Sequence, residues 1–473
     1  MTRSHKIILF IVAGLVGLLA LIVMSLHFFV DTTAYKAGLE TAASRALGME
    51  VKVGGRLGVA FFPGLRVTLK DLHVRNGGAD VASAKSAILH IAVLPLLHHE
   101  VRIKEIDLMS PTIFIEQGDD GKFNFGTWEQ GGGSFPAIDV NEVSFTDGTL
   151  RYADKLSGAE FQAVGCNLGM RGLGLSGGKN TDLLQHLSAT GTCGSIRAKE
   201  LVVSDFTFSI AGKEGVFDLK PLTMRIFGAQ ATGDVQANFS GAVPHYHVHY
   251  TLPQFRIDEF LKTLSPNAAA HGTMDFDANL TMQGKTMDEM KRSAAGDVLL
   301  RGGNLTLEGR DLDQEFSRFE SSQNFNLVDV GAFFFAGPLG LAVTKGYNFA
   351  SILQGSGGSS TIRVLVSNWR VEHGVAEAQD VAMATKENRI ALKGKLDFVN
   401  DRFDDVTIAL IDAKGCAKVR QRISGPFQKP VVERPNVFKS LAGPALKLLK
   451  KGRDLFPGGE CEVFYTGPVK APK

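Results

Sequence analysis

GLRVTLK, residues 64–70, alternates apolar Leu65, Val67 and Leu69 with polar Arg66, Thr68 and Lys70. Successive side chains of an extended strand point to opposite sides, so this period of two makes one apolar and one polar face. The alternation returns at Val101/Ile103, Ile113/Ile115, Phe206/Phe208/Ile210, Val298/Leu300, Leu305/Leu307, Ile362/Val364/Val366, Ile390/Leu392/Leu396/Phe398 and Val406/Ile408/Leu410. Asn-Gly-Gly, Asp-Asp-Gly, Thr-Asp-Gly and Arg-Gly-Gly between runs read as turns. The 53 glycines of the 473-residue chain supply the many turns that such a fold needs. Helical spacing is confined to short segments at 32–47, 181–187, 257–264, 285–295, 311–322 and 436–455. The chain is therefore mainly β: a long, twisted, curled antiparallel sheet with a few short helices.

Upstream of the strands lies IILFIVAGLVGLLALIVMSLHFFV, running from Ile7 through Leu15 and Leu21 to Val30. As a helix it reaches ~36 Å, enough to cross a hydrocarbon core of ~30 Å with some tilt. It is too long for the apolar part of a cleaved signal peptide and ends without a small-residue cleavage pattern. Arg3 and Lys6 precede it and Asp31 follows, so the positive-inside rule puts the N-terminus in the cytoplasm and the body outside. The expected division is 1–30 anchor, 31–130 N-terminal module and 131–473 β-rich body, with the Gly-rich run Gln130–Ser134 marking the module's edge.

The charge balance, 51 basic against 49 acidic residues, gives no field to hold a polyanion, and nucleic acid is not an expected partner. Four cysteines in an exported body suggest disulfides, and three connectivities are open. The expected pairing joins nearest neighbours, Cys166 with Cys193 and Cys416 with Cys461.

Two histidine clusters carry the residue types of a metal site. His245, His247 and His249 would share one strand face, close enough for a metal, but a merely polar strand face explains them more simply. His98-His99-Glu100 is weaker, because adjacent side chains diverge. Asp119-Asp120 and Asp404-Asp405 sit in turn-like sequence and share no catalytic geometry. No nucleophile elbow, P-loop or dinucleotide fingerprint occurs in context, so neither an enzyme nor a cofactor is expected. In 436–455, leucines alternate with lysines around Gly443-Pro444; a docked helix is preferred to a membrane-surface one.

Many one-sided strands and few helices leave a burial problem. Two sheets can seal one another, one sheet can close as a barrel, or an apolar concave face can stay open for acyl chains.

The order of motifs behind the apolar segment adds to this reading. GVAFFPGLRVTLKDLHVRNGG (Gly58–Gly78) is followed by Leu94-Pro-Leu-Leu97, by VRIKEIDLMSPTIFIEQ (Val101–Gln117) and by Gly121-Lys-Phe-Asn-Phe125. This resembles the N-terminal region of the AsmA family. Gly337-Pro-Leu-Gly340 and Gly425-Pro-Phe427 extend the resemblance over most of the chain. Phe125 departs from the Trp that often follows the closing Asn.

The resemblance implies a bacterial inner-membrane protein with a periplasmic body, similar to the repeating β-groove lipid bridges of eukaryotes. It implies support of outer-membrane integrity by moving phospholipid, with the inner membrane and other envelope proteins as partners. Leu65, Val67, Leu69, Ile113, Ile115, Phe333, Phe334 and Phe335 would then line the groove. The alternative is a scaffold for outer-membrane proteins that binds through free strand edges and carries no lipid.

Overall fold

The computed structural model describes residues 32–62, 64–96, 102–125, 140–172, 187–263, 270–309, 311–322, 357–433, 436–437 and 463–472. They divide into two compact units, Met1–Gly215 and Val216–Lys473. Strand is the dominant structure, as expected.

In the first unit, α1 (Thr32–Leu47) matches the expected helix end to end and stops at Gly48, whose φ of +65° suits the left-handed position that ends a helix. The strands are β1 (Glu50–Val53), β2 (Leu57–Ala60), β3 (Leu65–Asn76), β4 (Ala79–Ile91), β5 (Ile103–Gln117), β6 (Glu142–Asp154), β7 (Ala159–Arg171), β8 (Ser188–Ala198) and β9 (Leu201–Lys213). Val93–Leu96, expected as a crossing, is a single helical turn, α2.

β1 and β2 both pair with β3, and β3 to β9 then pair in sequence order. All these pairs are antiparallel except β5–β6, which is parallel and joins segments on either side of the expected 130/131 boundary. Asn124 of the closing motif fastens the end of β5. Its amide donates to the Phe114 carbonyl (2.8 Å) and accepts from the Glu116 N–H (3.1 Å).

The second unit contains β10 (Val216–Ile226), β11 (Ala229–Asn238), β12 (His245–Arg256), β13 (Ala270–His271), β14 (Thr273–Gln283), β15 (Ala295–Glu308), β16 (Ser359–Glu372), β17 (Val375–Ala384), β18 (Arg389–Asp397), β19 (Arg402–Ile411), β20 (Ala417–Pro426), β21 (Val431–Val432) and β22 (Asn436–Val437). Its helices are α3 (Ile257–Lys262), α4 (Met287–Ser293) and α5 (Leu312–Ser322), close to three expected segments. The helix expected at 181–187, in the first unit, lies outside the described residues but for Leu187.

From the end of β12 to β20 this unit is sealed, while Phe217, Leu219, Val235 and Val248 on β10 to β12 stay half-buried. Phe260 of α3 and Leu312 and Phe316 of α5 are buried with Trp369, Leu305, Leu392 and Ile408 in one continuous core. The expectation of one polar face per strand is corrected for β17 to β19. Arg389–Leu392 and Ile408–Ile411 are buried at every position. One face joins the main core, and the other is covered by Phe464, Tyr465 and Val469 of the C-terminal segment. A covering segment from distant sequence replaces water there, so period-two polarity is not required.

Two expected turns are also corrected. Thr146-Asp-Gly148 lies inside β6 and Arg301-Gly-Gly303 inside β15. Asp147 and Asn304 adopt left-handed backbone (φ +56° and +53°), which kinks a strand without ending it. Asp404-Asp405, expected as turn-like, is likewise within β19, with Asp405 at φ +51°. Asn436-Val437, expected to open a helix, is a strand pairing with Arg420 and Val419, while 438–455 lies outside the described residues.

Tyr250 on β12 packs against Phe276 (ring centroids 6.2 Å), and burial lifts its hydroxyl pKa to about 12. An unfolded tyrosine titrates near 10, so the folded state favours the neutral form. Its contribution to stability is complete below about pH 10 and is lost as pH rises through about 12. Melting curves across that window should fall more steeply for the wild type than for Tyr250→Phe; equal slopes would contradict this.

Candidate functional site

The apolar face of the first unit is assembled by register. One row crosses seven strands: Val67, Leu89, Ile106, Val143, Met170, Ala189, Ile210. The next is Leu69, Ala87, Leu108, Phe145, Leu168, Gly191, Phe208, and a third is Val74, Ala82, Ile113, Leu150, Ala163, Ile196, Val203. Directly paired residues share a face, so these rows form one apolar surface. At ~4.8 Å per strand it is ~29 Å wide.

A seam of inserted residues separates the second row from the third. Asp71, Ser110, Asp147, Gly165 and Asp205 all have φ between 46° and 63°. Each adds one residue to its strand, so the apolar spacing steps from two to three and then back to two. Without that insertion the second half of every strand would turn its apolar residues to the other face. In sequence the pattern is apolar-x-apolar-x-x-apolar-x-apolar, as in VTLKDLHV, IDLMSPTI and VSFTDGTL. The alternation rule missed it and divided β6 and β15 at that point.

This face is poorly covered. At the β1–β3 edge Val51, Val53, Leu57 and Leu69 are buried, and across the remaining strands the buried members are small: Ala84, Ala87, Ala163, Cys166 and Ala189. Leu65, Val67, Ile113 and Ile115, four of the expected groove residues, lie on it half-buried, and so do Leu108, Phe145, Leu168 and Phe208. The contrast with the sealed part of the second unit is one of cover: apart from the cluster of Val53, Leu57, Leu69 and Ala87, no large side chain of these rows is fully buried among the described residues. Two aromatic rings lie along the surface. A Cβ at Gly191 would stand 2.4 Å from the Phe208 ring, and one at Gly148 would stand 2.9 Å from that of Phe145. Phe333, Phe334 and Phe335, like Ile7, Leu15, Leu21 and Val30, lie outside the described residues. No helix among the described residues is long and apolar enough to cross a membrane.

Cys166 and Cys193 form the expected disulfide, pairing β7 to β8 beside the seam. Closing a loop of sequence separation 27 stabilises the fold by ~3.5 kcal/mol in the chain-entropy treatment. Cys416 is also disulfide-bonded, and Cys461 lies outside the described residues.

The opposite face is polar and ion-paired. Register brings His90, Glu105 and Asp107 together, a grouping invisible in sequence. His90 Nε2 is 3.0 Å from Asp107 Oδ2 and its Nδ1 is 3.8 Å from Glu105 Oε2, while Ser144 donates to Asp107 Oδ1 (2.5 Å). Among the described residues it is the one cluster with the donor set for a metal, and its members already satisfy one another.

His245, His247 and His249 lie along β12 as the sequence places them. His247 meets Asn279 (2.8 Å), and His249 lies between Asp234 (3.3 Å) and Asp277 (3.6 Å). The hollow beside them is lined mainly by polar side chains, Gln236, Asn238, Thr281, Gln283 and Ser293, with Tyr246 and Met282. His98-His99-Glu100 lies outside the described residues.

No curated protein and no solved structure matches this chain. The AsmA family profile matches residues 1–178 and 179–326, taking in the whole apolar face described above. With more than half of its length matched, the chain belongs to the AsmA family.

Proposed function

We propose that this chain binds phospholipid acyl chains on the apolar face of its first unit, in support of the bacterial outer membrane. In this reading Ile7–Val30 anchors it in the inner membrane with the N-terminus cytoplasmic, and the body stands in the periplasm. Family membership supports envelope work in general. The single observation that carries lipid binding is the in-register apolar face, most of whose large side chains are only half-buried among the described residues.

The proposed mechanism is burial, with no bond made or broken. Each acyl CH₂ removed from water contributes ~0.8 kcal/mol, so a two-chain lipid gains much from an apolar trough with no specific contact. Head groups stay in solvent at the rim. The disulfide beside the seam holds β7 against β8 and keeps the face continuous.

The test is native mass spectrometry of the full chain released from membranes in mild detergent. At least one phospholipid per chain is the expected result. A lipid-free chain that retains an outer-membrane barrel protein would favour the scaffold reading instead.

A further inference from the structure

Four large apolar side chains project into solvent at one end of the first unit's sheet. Phe61 is 37% and Phe62 88% exposed in the connection from β2 to β3, and Val93 is 51% and Leu94 76% exposed in α2, between β4 and β5. The two connections are neighbours, because Leu65 pairs with Ile91 and Ile91 with Ile103. Both therefore leave the sheet at the same end, where the apolar rows of β3, β4 and β5 begin. An isolated exposed leucine means little, but four together on adjacent loop tips need an apolar partner.

The position of α1 says which partner. Ser44 Oγ accepts from the Val51 N–H (2.8 Å), Glu40 Oε1 accepts from the Val53 N–H (2.8 Å), and Lys36 Nζ donates to the Gly55 carbonyl (3.4 Å). The helix thus runs antiparallel to β1, four helical residues (~6 Å) matching two strand residues (~6.6 Å). One further turn sets Thr32 level with Leu57, which is ~10 Å short of Ala60 along β2. Val30, the last residue of the apolar segment, is two residues before Thr32 and so within ~7 Å of that level. The interfacial zone outside a bilayer's hydrocarbon core is ~5–8 Å thick on each side. A segment seated in the core therefore brings the apolar tip to the membrane surface. Arg66 stands at the same place, donating to the Phe62 carbonyl (3.0 Å), and sets a cation at the depth of lipid phosphates.

We infer that Phe61, Phe62, Val93 and Leu94 form a membrane-docking tip that seats this end of the sheet in a phospholipid bilayer. The tip is continuous with the row Leu65, Ile91, Ile103, so a lipid leaving the bilayer passes from the tip onto the apolar face without crossing water. The inference rests on the lipid-binding reading for its purpose, but on the tip's own geometry for its place.

The experiment uses the full chain reconstituted in liposomes of phosphatidylethanolamine and phosphatidylglycerol and recovered by flotation. A photoactivatable benzoylphenylalanine replaces Phe62, Leu94 or, as control, Leu156. Leu156 is 63% exposed in the β6–β7 turn, at the other end of the sheet. Lipid adducts at 62 and 94 should exceed those at 156 by about fivefold or more. Equal labelling at all three positions, or adducts at 62 and 94 only to a second copy of the chain, would overturn the docking. Lipid found on the chain without labelling at the tip would sink the docking alone. Tip labelling on a chain that carries no lipid would uphold the docking and sink the transport reading.

Discussion

Leu168→Asp is expected to strip bound phospholipid from the full chain and weaken its rebinding by about a hundredfold. Leu168 lies half-buried in the second apolar row, between Phe145 and Gly191. A carboxylate placed there has no cation opposite it in the row, and hydrocarbon laid over it cannot solvate it. Burying an unpaired polar or charged group costs at least ~3 kcal/mol, and each 1.4 kcal/mol is tenfold in affinity.

The comparison is Met109→Asp. Met109 follows Leu108 on β5, points to the opposite face and is 48% exposed. The same charge there meets water, and lipid content should not change. Native mass spectrometry gives the lipid load, and melting temperatures confirm that both variants fold. A folded Leu168→Asp chain with its full complement of lipid would rule out this face as the binding surface.

The second large effect concerns the C-terminal segment. Arg389 is 6% exposed and reaches out of β18 to three carbonyls. Nη1 donates to Val469 (2.8 Å), and Nη2 donates to Asp412 (2.6 Å) and Ala413 (3.3 Å). The guanidinium also lies 5.7 Å from the centre of the Tyr465 ring. Arg389→Met keeps the aliphatic stem and removes every donor, which leaves the carbonyls short of partners. Hydrogen bonds to a charged group contribute ~1.5–3 kcal/mol each, and the cost of burying the charge offsets part of their sum. A net loss of about 3 kcal/mol is expected.

Loss of the clamp should also expose Val463–Pro472 to protease before the rest of the unit. Among the described residues this segment is also tied by the Tyr465 hydroxyl on Asp380 (2.7 Å), the Phe464 and Tyr465 N–H groups on the Gly415 carbonyl, the β-bridge between Cys416 and Val463, and Lys393 over the Phe464 ring. A denaturation midpoint unchanged by Arg389→Met, with the tail still resistant, would show that these ties and the apolar contacts suffice.

The sequence by itself determined the strand-rich class and the short helices at 32–47, 257–264, 285–295 and 311–322. These are local matters: a period of two or of 3.6 and a stop at Gly48, whereas the Cys166–Cys193 pair belongs to one of three open connectivities and is decided by β7 lying beside β8. It also held the bulge repeat in plain view, as three apolar spacings in VTLKDLHV and its counterparts, although simple alternation reads the extra residue as a turn.

Only the tertiary structure decided which apolar faces are covered. Leu65 and Ile390 sit in equally regular alternation, yet Leu65 is half-buried and Ile390 is fully sealed. The difference lies in what arrives from elsewhere: α3, α5 and the C-terminal segment close the second unit from the end of β12 to β20, and no such cover reaches Leu65 among the described residues. The grouping of His90 with Glu105 and Asp107, and of Phe62 with Leu94, likewise depends on strand register. Period fixes which side of a strand is apolar, but cover is a contact between distant segments, and no local pattern encodes it.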